Sequence, residues 1–179
     1  RFMVVEYSGC GPVDELVQIY ANFQPVYFSG NAATGYYSGF LYRDVRLGAV
    51  PESSPVLPQW PGAPRWSMQH KASGHAQIGY SLRFDKDGKV WANGVPRIGA
   101  LWRGVRRYDP RLDSTYPGGS GPCRIDDPST YVYTANNALH ALGYAYGTYH
   151  NGKKVFGVDG DFDAIDVDTF VAWANAIDA

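Results

Sequence analysis

Four histidines, His70, His75, His140 and His150, are where any proton-transfer or metal chemistry in this chain has to begin. His70 and His75 are close enough along the chain to approach one another. Neither stands at the spacing of a zinc site or of a nucleophile–base–acid triad. His140 follows Leu139 in a helical stretch, where a hydrogen-bonded structural histidine is the plainer reading than a ligand. The sequence holds no Gly-x-Ser-x-Gly elbow, no Gly-Lys-Ser/Thr phosphate loop and no Cys-x-x-Cys pair. No catalytic, metal or cofactor-binding residue is therefore assigned, no cofactor is expected, and the chain is read as a non-enzyme. A hydrolase using His70 or His75 with an aspartate partner stands as an alternative.

Two charged clusters invite a functional reading. Asp159-Gly-Asp-Phe-Asp-Ala-Ile-Asp-Val-Asp168 has carboxylates at alternate positions, as a calcium loop does. A calcium loop starting at Asp159 requires glycine where Ala164 stands and a bidentate acid where Phe170 stands. A solvated loop leading into an acidic helix start fits better, since carboxylates favour the positive end of a helix. The second cluster is Arg97, Arg103, Arg106, Arg107 and Arg111. Alternation on a strand would put Arg106 opposite the other four. Because 16 basic residues face 17 acidic ones, for a net charge of −1, the arginines read first as interface and intramolecular partners. DNA contact requires a more concentrated positive footprint.

The elements that must position these groups are mostly strands. Asn93-Gly94 marks a turn, and from Ile98 to Val105 both faces of an alternating run are largely apolar. That predicts a strand covered on both sides, ended by Asp109-Pro110. Phe2–Tyr7 predicts a strand, Val13–Tyr20 another that forms a hairpin with it, and Phe40–Leu47 a third. Ala76, Ile78, Tyr80, Leu82 and Phe84 alternate along a further strand. Ser29–Gly39 reads as a loop too rich in small residues to pack a core, and Leu112–Ser129 as a long polar insert. Five prolines between Pro51 and Pro64, with Trp60 and Trp66 nearby, read as a stiff connector with its tryptophans tucked down, or else as a proline-motif ligand. Leu139, Leu142, Ala145 and Tyr146 recur at helical spacing between a cap at Asn136 or Asn137 and a stop at Gly147. A second helix is predicted from about Asp166 to Ile177, with Phe170, Val171, Ala174 and Ile177 as its apolar stripe.

Size and composition bound the rest. The chain has 179 residues, 21 glycines, 14 tyrosines and 12 prolines, and only 18% charged residues. That suits a turn-rich β body and disfavours a helical bundle. The expected class is α+β, β-rich: a mixed or antiparallel sheet body with long Gly/Pro loops and two C-terminal helices. The expected division is 1–48, an N-terminal β segment, and 49–179, holding the connector, central strands and helices. No run approaches a membrane span, and no secretory leader pattern is present. Opening at Arg1-Phe-Met-Val-Val, inside a strand-like run, suggests an excerpt of a longer polypeptide. Cys10 and Cys123 allow one disulfide, but free thiols in a reducing compartment are the expectation.

Five phrases in order carry a resemblance. They are Trp66–Gly74 with the strand to Asp85, Asn93-Gly-Val-Pro-Arg-Ile98, Arg103-Gly-Val-Arg-Arg-Tyr-Asp-Pro-Arg111, Tyr133-Thr-Ala-Asn-Asn-Ala-Leu139, and Ile165-Asp-Val-Asp-Thr-Phe-Val-Ala-Trp-Ala-Asn175. The series is similar to the tail tip, or host-specificity, proteins of lambda-like siphophages. There a strand ending in YDPR is followed by DNPAL opening one helix and by IDxxSFxxAAN opening another. The match covers roughly Trp66 to Asp178, and Glu6–Ser29 is only loosely like the family's early hub strands. Asn137 departs from the usual proline, Trp173 from a small residue, and Leu112–Ser129 is longer than usual.

The resemblance implies a virion structural protein, assembled in the bacterial cytoplasm, within the hub that closes the tail tube. Its implied partners are other copies of itself in a homotrimer, tail tube and distal tail proteins, the tape-measure protein, and a host receptor met through the rest of the polypeptide. It also implies loops ordered by neighbouring proteins. Trp60, Trp66, Trp91 and Tyr36-Tyr37 keep open a different class, a carbohydrate- or receptor-binding module.

Overall fold

The computed structural model describes residues 1–8, 11–150, 152–158 and 160–179. The fold is mixed α+β, mostly antiparallel sheet with two helices near the C-terminus. Two compact units divide it at Arg103/Gly104, so position 48 lies inside the first.

In the first unit, β1 (Phe2–Ser8) pairs antiparallel with β7 (Ala76–Leu82), and β7 pairs with β6 (Leu41–Arg46). The short β5 (Ala32–Ala33) and β4 (Phe28–Ser29) complete a five-stranded sheet in the order β1-β7-β6-β5-β4. A second sheet is ordered β3 (Gln24–Val26), β2 (Val13–Ala21), β8 (Ile98–Val105). Both sheets feed one core. Ile19, Ala21 and Val26 come from the second, and Ala33, Leu41, Ile78, Tyr80 and Leu82 from the first. Along β2, Val13, Ile19 and Ala21 are buried, while Glu15 and Val17 are exposed.

The most enclosed strand is β7, whose seven residues are all buried. One face meets the shared core, and the other is roofed by the proline connector, where Pro55 and Val56 are buried. Gly79 makes that roof possible. A Cβ there would lie 2.9 Å from the Phe2 ring and 3.0 Å from Val56 Cβ. The connector is fastened to the sheet by hydrogen bonds. Gln59 N–H donates to Ser81 Oγ at 2.9 Å, Leu57 N–H to Asp44 Oδ2 at 2.7 Å, and Trp66 Nε1–H to the Val56 carbonyl at 2.6 Å.

The second unit holds α1 (Asn137–Tyr146), a hairpin of β9 (Thr148–His150) and β10 (Lys153–Phe156), and α2 (Val167–Asp178). Asn136 caps α1 by accepting the Ala138 N–H at 3.0 Å, and Gly147 ends it. Asp166 caps α2 through the Thr169 N–H. Tyr108, Cys123, Leu142 and Val167 form this unit's core, with Ala138, Leu139 and Ala174 packed between the helices. The stripe expected on α2 is narrower than predicted. Ala174 and Val167 are buried and Phe170 and Val171 half-buried, but Ile177 stays in solvent. Among the described residues no helix is long and apolar enough to cross a membrane.

Several local expectations change. β1 and β2 do not form a hairpin, because they belong to different sheets. β8 is not covered on both faces: it lies at the edge of its sheet. Ile98, Ala100 and Trp102 face the core, while Leu101 is 50% exposed. The doubly covered strand is β7, whose polar alternates are hidden by the connector. Ser29–Gly39 contributes to the core after all, since Ala33 is buried beside Leu41. Phe84 lies beyond the end of β7 and is exposed. Leu112–Ser129 is ordered by its own backbone, with Cys123 N–H donating to Leu112 O at 3.0 Å and Ser114 N–H to Gly121 O at 3.1 Å.

Candidate functional site

The residues singled out for chemistry are dispersed. His70 sits in a tight turn, its Nδ1 3.0 Å from the Ser67 N–H that donates to it, with its ring stacked on Trp66 at 4.7 Å. His75 Nδ1 lies 2.6 Å from Glu6 Oε1, an exposed cross-strand pair. Among the described residues no aspartate bonds either ring. His140 Nε2 meets the Thr134 carbonyl at 3.0 Å, which fastens the start of α1. The His150 side chain, Cys10 and Asp159 lie outside the described residues; Cys123 is a free, buried thiol, and burial pushes its pKa up.

The acidic segment serves its own backbone. Asp161 accepts from Asp163 N–H at 3.2 Å, Asp166 from Thr169, and Asp168 from the Tyr116 hydroxyl at 2.6 Å. Burial, with the Asp168 bond, pushes Tyr116 up to about 12. Tyr116, Asp166 and Asp168 line a shallow depression of about 260 Å³ with Phe162, Asp163, Ile165 and Val167.

The arginines do not share a strand face, since β8 ends at Val105. Arg97 lies over the Phe23 ring at 5.5 Å and Arg103 pairs with Glu15 at 3.2 Å, both within the first unit. In the second unit, Arg107 Nη1 donates to Thr148 Oγ1 at 3.3 Å.

Arg111 is the centre of a more organised constellation. Its guanidinium grips the buried Asp109 as a fork, Nε to Oδ1 at 2.9 Å and Nη2 to Oδ2 at 2.8 Å. Its Nη1 reaches α2, donating to Asp178 Oδ2 at 2.8 Å and Asn175 Oδ1 at 3.2 Å. Asn136, while capping α1, donates through Nδ2 to the Ala174 carbonyl at 2.9 Å and to Asp178 Oδ1 at 3.0 Å. The bonds from Arg111, then from Asn136, hold the Asp178 carboxyl below its ordinary range. Asp109-Pro-Arg111, the start of α1 and the end of α2 are thus closed into one network. These bonds hold three segments of the second unit in a fixed relation.

A second network underlies the insert. Asp113, only 1% exposed, accepts at Oδ1 from Thr115 N–H (2.8 Å), Thr115 Oγ1–H (2.6 Å) and Arg124 Nη1 (3.0 Å), and at Oδ2 from the Tyr108 hydroxyl (2.8 Å). Burial pushes the Asp113 carboxyl up, but these donors outweigh it and hold it low. Sequence reasoning passed over Asp113, although one signal was present. Asp85, Asp109, Asp113, Asp127 and Asp161 each accept the backbone N–H two residues on, the turn geometry that short acidic side chains favour.

A third constellation lies in the first unit, where Asn31, Tyr42, Arg43, Asp44, Arg46, Gln59 and Ser81 line a pocket of about 240 Å³ beneath the connector, with the Arg43 guanidinium over the Phe28 ring at 4.3 Å. Asp44 Oδ1 is paired with Arg46 Nη1 at 2.9 Å, and Arg46 also donates to Ser54. Tyr42 meets Trp60 edge to face, with ring centroids 5.1 Å apart.

No family model matches the sequence, and neither a curated protein nor a solved structure matches it with significance.

Proposed function

We propose that this chain is a non-enzymatic structural component of a phage tail tip. It is part of the hub that closes the tail tube and supports the central fibre that meets the host. Its partners are other copies of itself in a trimer, the distal tail and tube proteins, and the tape-measure protein. The observation that carries the reading is the network around Arg111. Three of the five phrases that carry the resemblance, those holding Tyr108-Asp-Pro-Arg111, Asn136-Asn-Ala-Leu139 and Asn175, meet there through direct hydrogen bonds. A phrase series that serves as one structural joint suits a scaffold, whose task is to hold a shape under load. The charge balance of −1 and the arginines bound to this chain's own acids suit packing against proteins better than coating DNA.

The test is genetic. In the phage that encodes it, an in-frame deletion is expected to leave filled heads without functional tails and to abolish plaque formation, and the gene supplied in trans restores both. Normal tails and normal titre after deletion would overturn the reading.

A further inference from the structure

The turn that joins β2 to β3 is built against its backbone preference. Ala21 pairs with Gln24, so the connection is two residues long, and both of them take a positive φ, 49° at Asn22 and 65° at Phe23. Such a turn matches the twist of a hairpin, and its second position favours glycine, because a Cβ there crowds the following carbonyl. Phenylalanine occupies it instead, with 74% of its surface in solvent. Its ring faces the Arg97 guanidinium at 5.5 Å, and among the described residues no carboxylate pairs with that guanidinium. The turn is also pinned. Asn22 N–H donates to the Arg97 carbonyl at 2.8 Å, and Arg97 N–H donates to Asn22 Oδ1 at 3.0 Å. Strain that serves no packing within the fold points to a contact outside it. A rigid aromatic beside an arginine is the pairing that anchors many protein–protein contacts, since little ordering remains to be done on binding.

Charge indicates what the anchor meets. Residues 1–103 carry ten Lys/Arg against seven Asp/Glu, whereas residues 104–179 carry six against ten. The two units are of opposite sign, so the second unit of another copy is complementary to the first. That unit also has a socket. In the depression of about 260 Å³, the apolar groups of Phe162, Ile165 and Tyr116 stand beside Asp163, Asp166 and Asp168. Asp166 and Asp168 are engaged by Thr169 and Tyr116, while the Asp163 carboxylate has no partner among the described residues.

We propose that Phe23 of one copy seats in this depression of a second copy, with Arg97 meeting Asp163. The contact joins two different patches and is therefore heterologous. In naming how copies meet, it rests on the self-association included in the hub reading.

The experiment is sedimentation velocity on the full chain across a wide range of concentration, at low and high salt. The wild-type chain is expected to associate as concentration rises, and less so in high salt. Phe23→Gly relieves the positive φ, so in dilute solution it should melt at or above the wild-type temperature while association weakens at least about tenfold. Arg97→Glu and Asp163→Arg, both at exposed positions, should each weaken association about tenfold, and the two together should restore it. A chain that stays monomeric at every concentration would overturn the proposal. So would association that Phe23→Gly leaves intact, or a double variant no tighter than either single one. A deletion that abolishes tails beside a monomeric purified chain refutes this contact and leaves the hub reading standing; normal tails beside an associating chain refute the hub reading alone.

Discussion

Asp113→Ala is the perturbation that most directly probes how the long insert is held. The carboxylate accepts four hydrogen bonds from 2.6 to 3.0 Å, and it is almost wholly buried. Alanine leaves the buried Tyr108 hydroxyl without its acceptor and Arg124 without its counter-ion. Breaking a buried charged pair by removing one partner costs about 3–5 kcal/mol. Arg124 keeps 33% of its side chain in solvent, so part of its charge is rehydrated, and the lower end, about 3 kcal/mol, is expected. At tenfold per roughly 1.4 kcal/mol, amide exchange through opening of this region accelerates about 100-fold. Hydrogen-exchange mass spectrometry on peptides spanning Tyr108–Tyr131 reads this directly. Asp113→Asn keeps one acceptor oxygen and the shape, so its acceleration should be distinctly smaller. Exchange in Asp113→Ala within about threefold of wild type would refute the claim that the insert is ordered by its own polar core.

Three further outcomes follow from the same geometry. Asn136→Ala removes an N-cap and two donor bonds to α2, and should lower the stability of the second unit by about 2 kcal/mol in urea melts; Asn136→Asp, which keeps the cap but sets a buried carboxylate against the Ala174 carbonyl and the Asp178 carboxylate, should lose more at neutral pH. Burial raises the Tyr80, Tyr108 and Tyr131 hydroxyls above the ordinary 10.0, so their contribution is complete below pH 10 and lost as pH rises beyond it. Asp113 and Asp178 are held below 3.8, so theirs is complete above about pH 4 and lost in stronger acid. Stability should therefore be flat between, and phenolate absorbance of the buried tyrosines should appear only with unfolding. In a Cys10→Ser background, the buried, raised-pKa Cys123 thiol should react with a thiol reagent at pH 8 at the unfolding rate; immediate labelling would show that it is accessible.

The helices and the main strands were legible because their signals are local. Asn136 and Gly147 bracket α1 by cap chemistry, and the alternation of Ala76–Leu82 announces a strand whatever lies around it. What was hidden depended on residues distant in sequence. Nothing in Phe2–Ser8 says that its partner is β7 rather than β2, since both runs offer equivalent apolar alternation. β8 looked fully covered because Gly99, Leu101 and Val105 are small or apolar, yet Leu101 lies in solvent and Gly99 and Val105 are only half-buried. β7 looked half polar, and only the connector tied to Ser81 and pressed on Gly79 explains why Gln77 and Ser81 are buried. The network around Arg111 was half readable. Its phrases stand in order along the sequence, but their meeting is a tertiary fact, set by Arg111 reaching Asp178 and Asn136 reaching Ala174.

The most direct measurement is localisation on the particle. Antibodies raised against this chain, visualised by immunogold electron microscopy on purified virions, are expected to mark the tail end distal to the head, in trimeric stoichiometry by quantitative mass spectrometry. Virions that carry none of this chain, or gold confined to the capsid, would contradict the account.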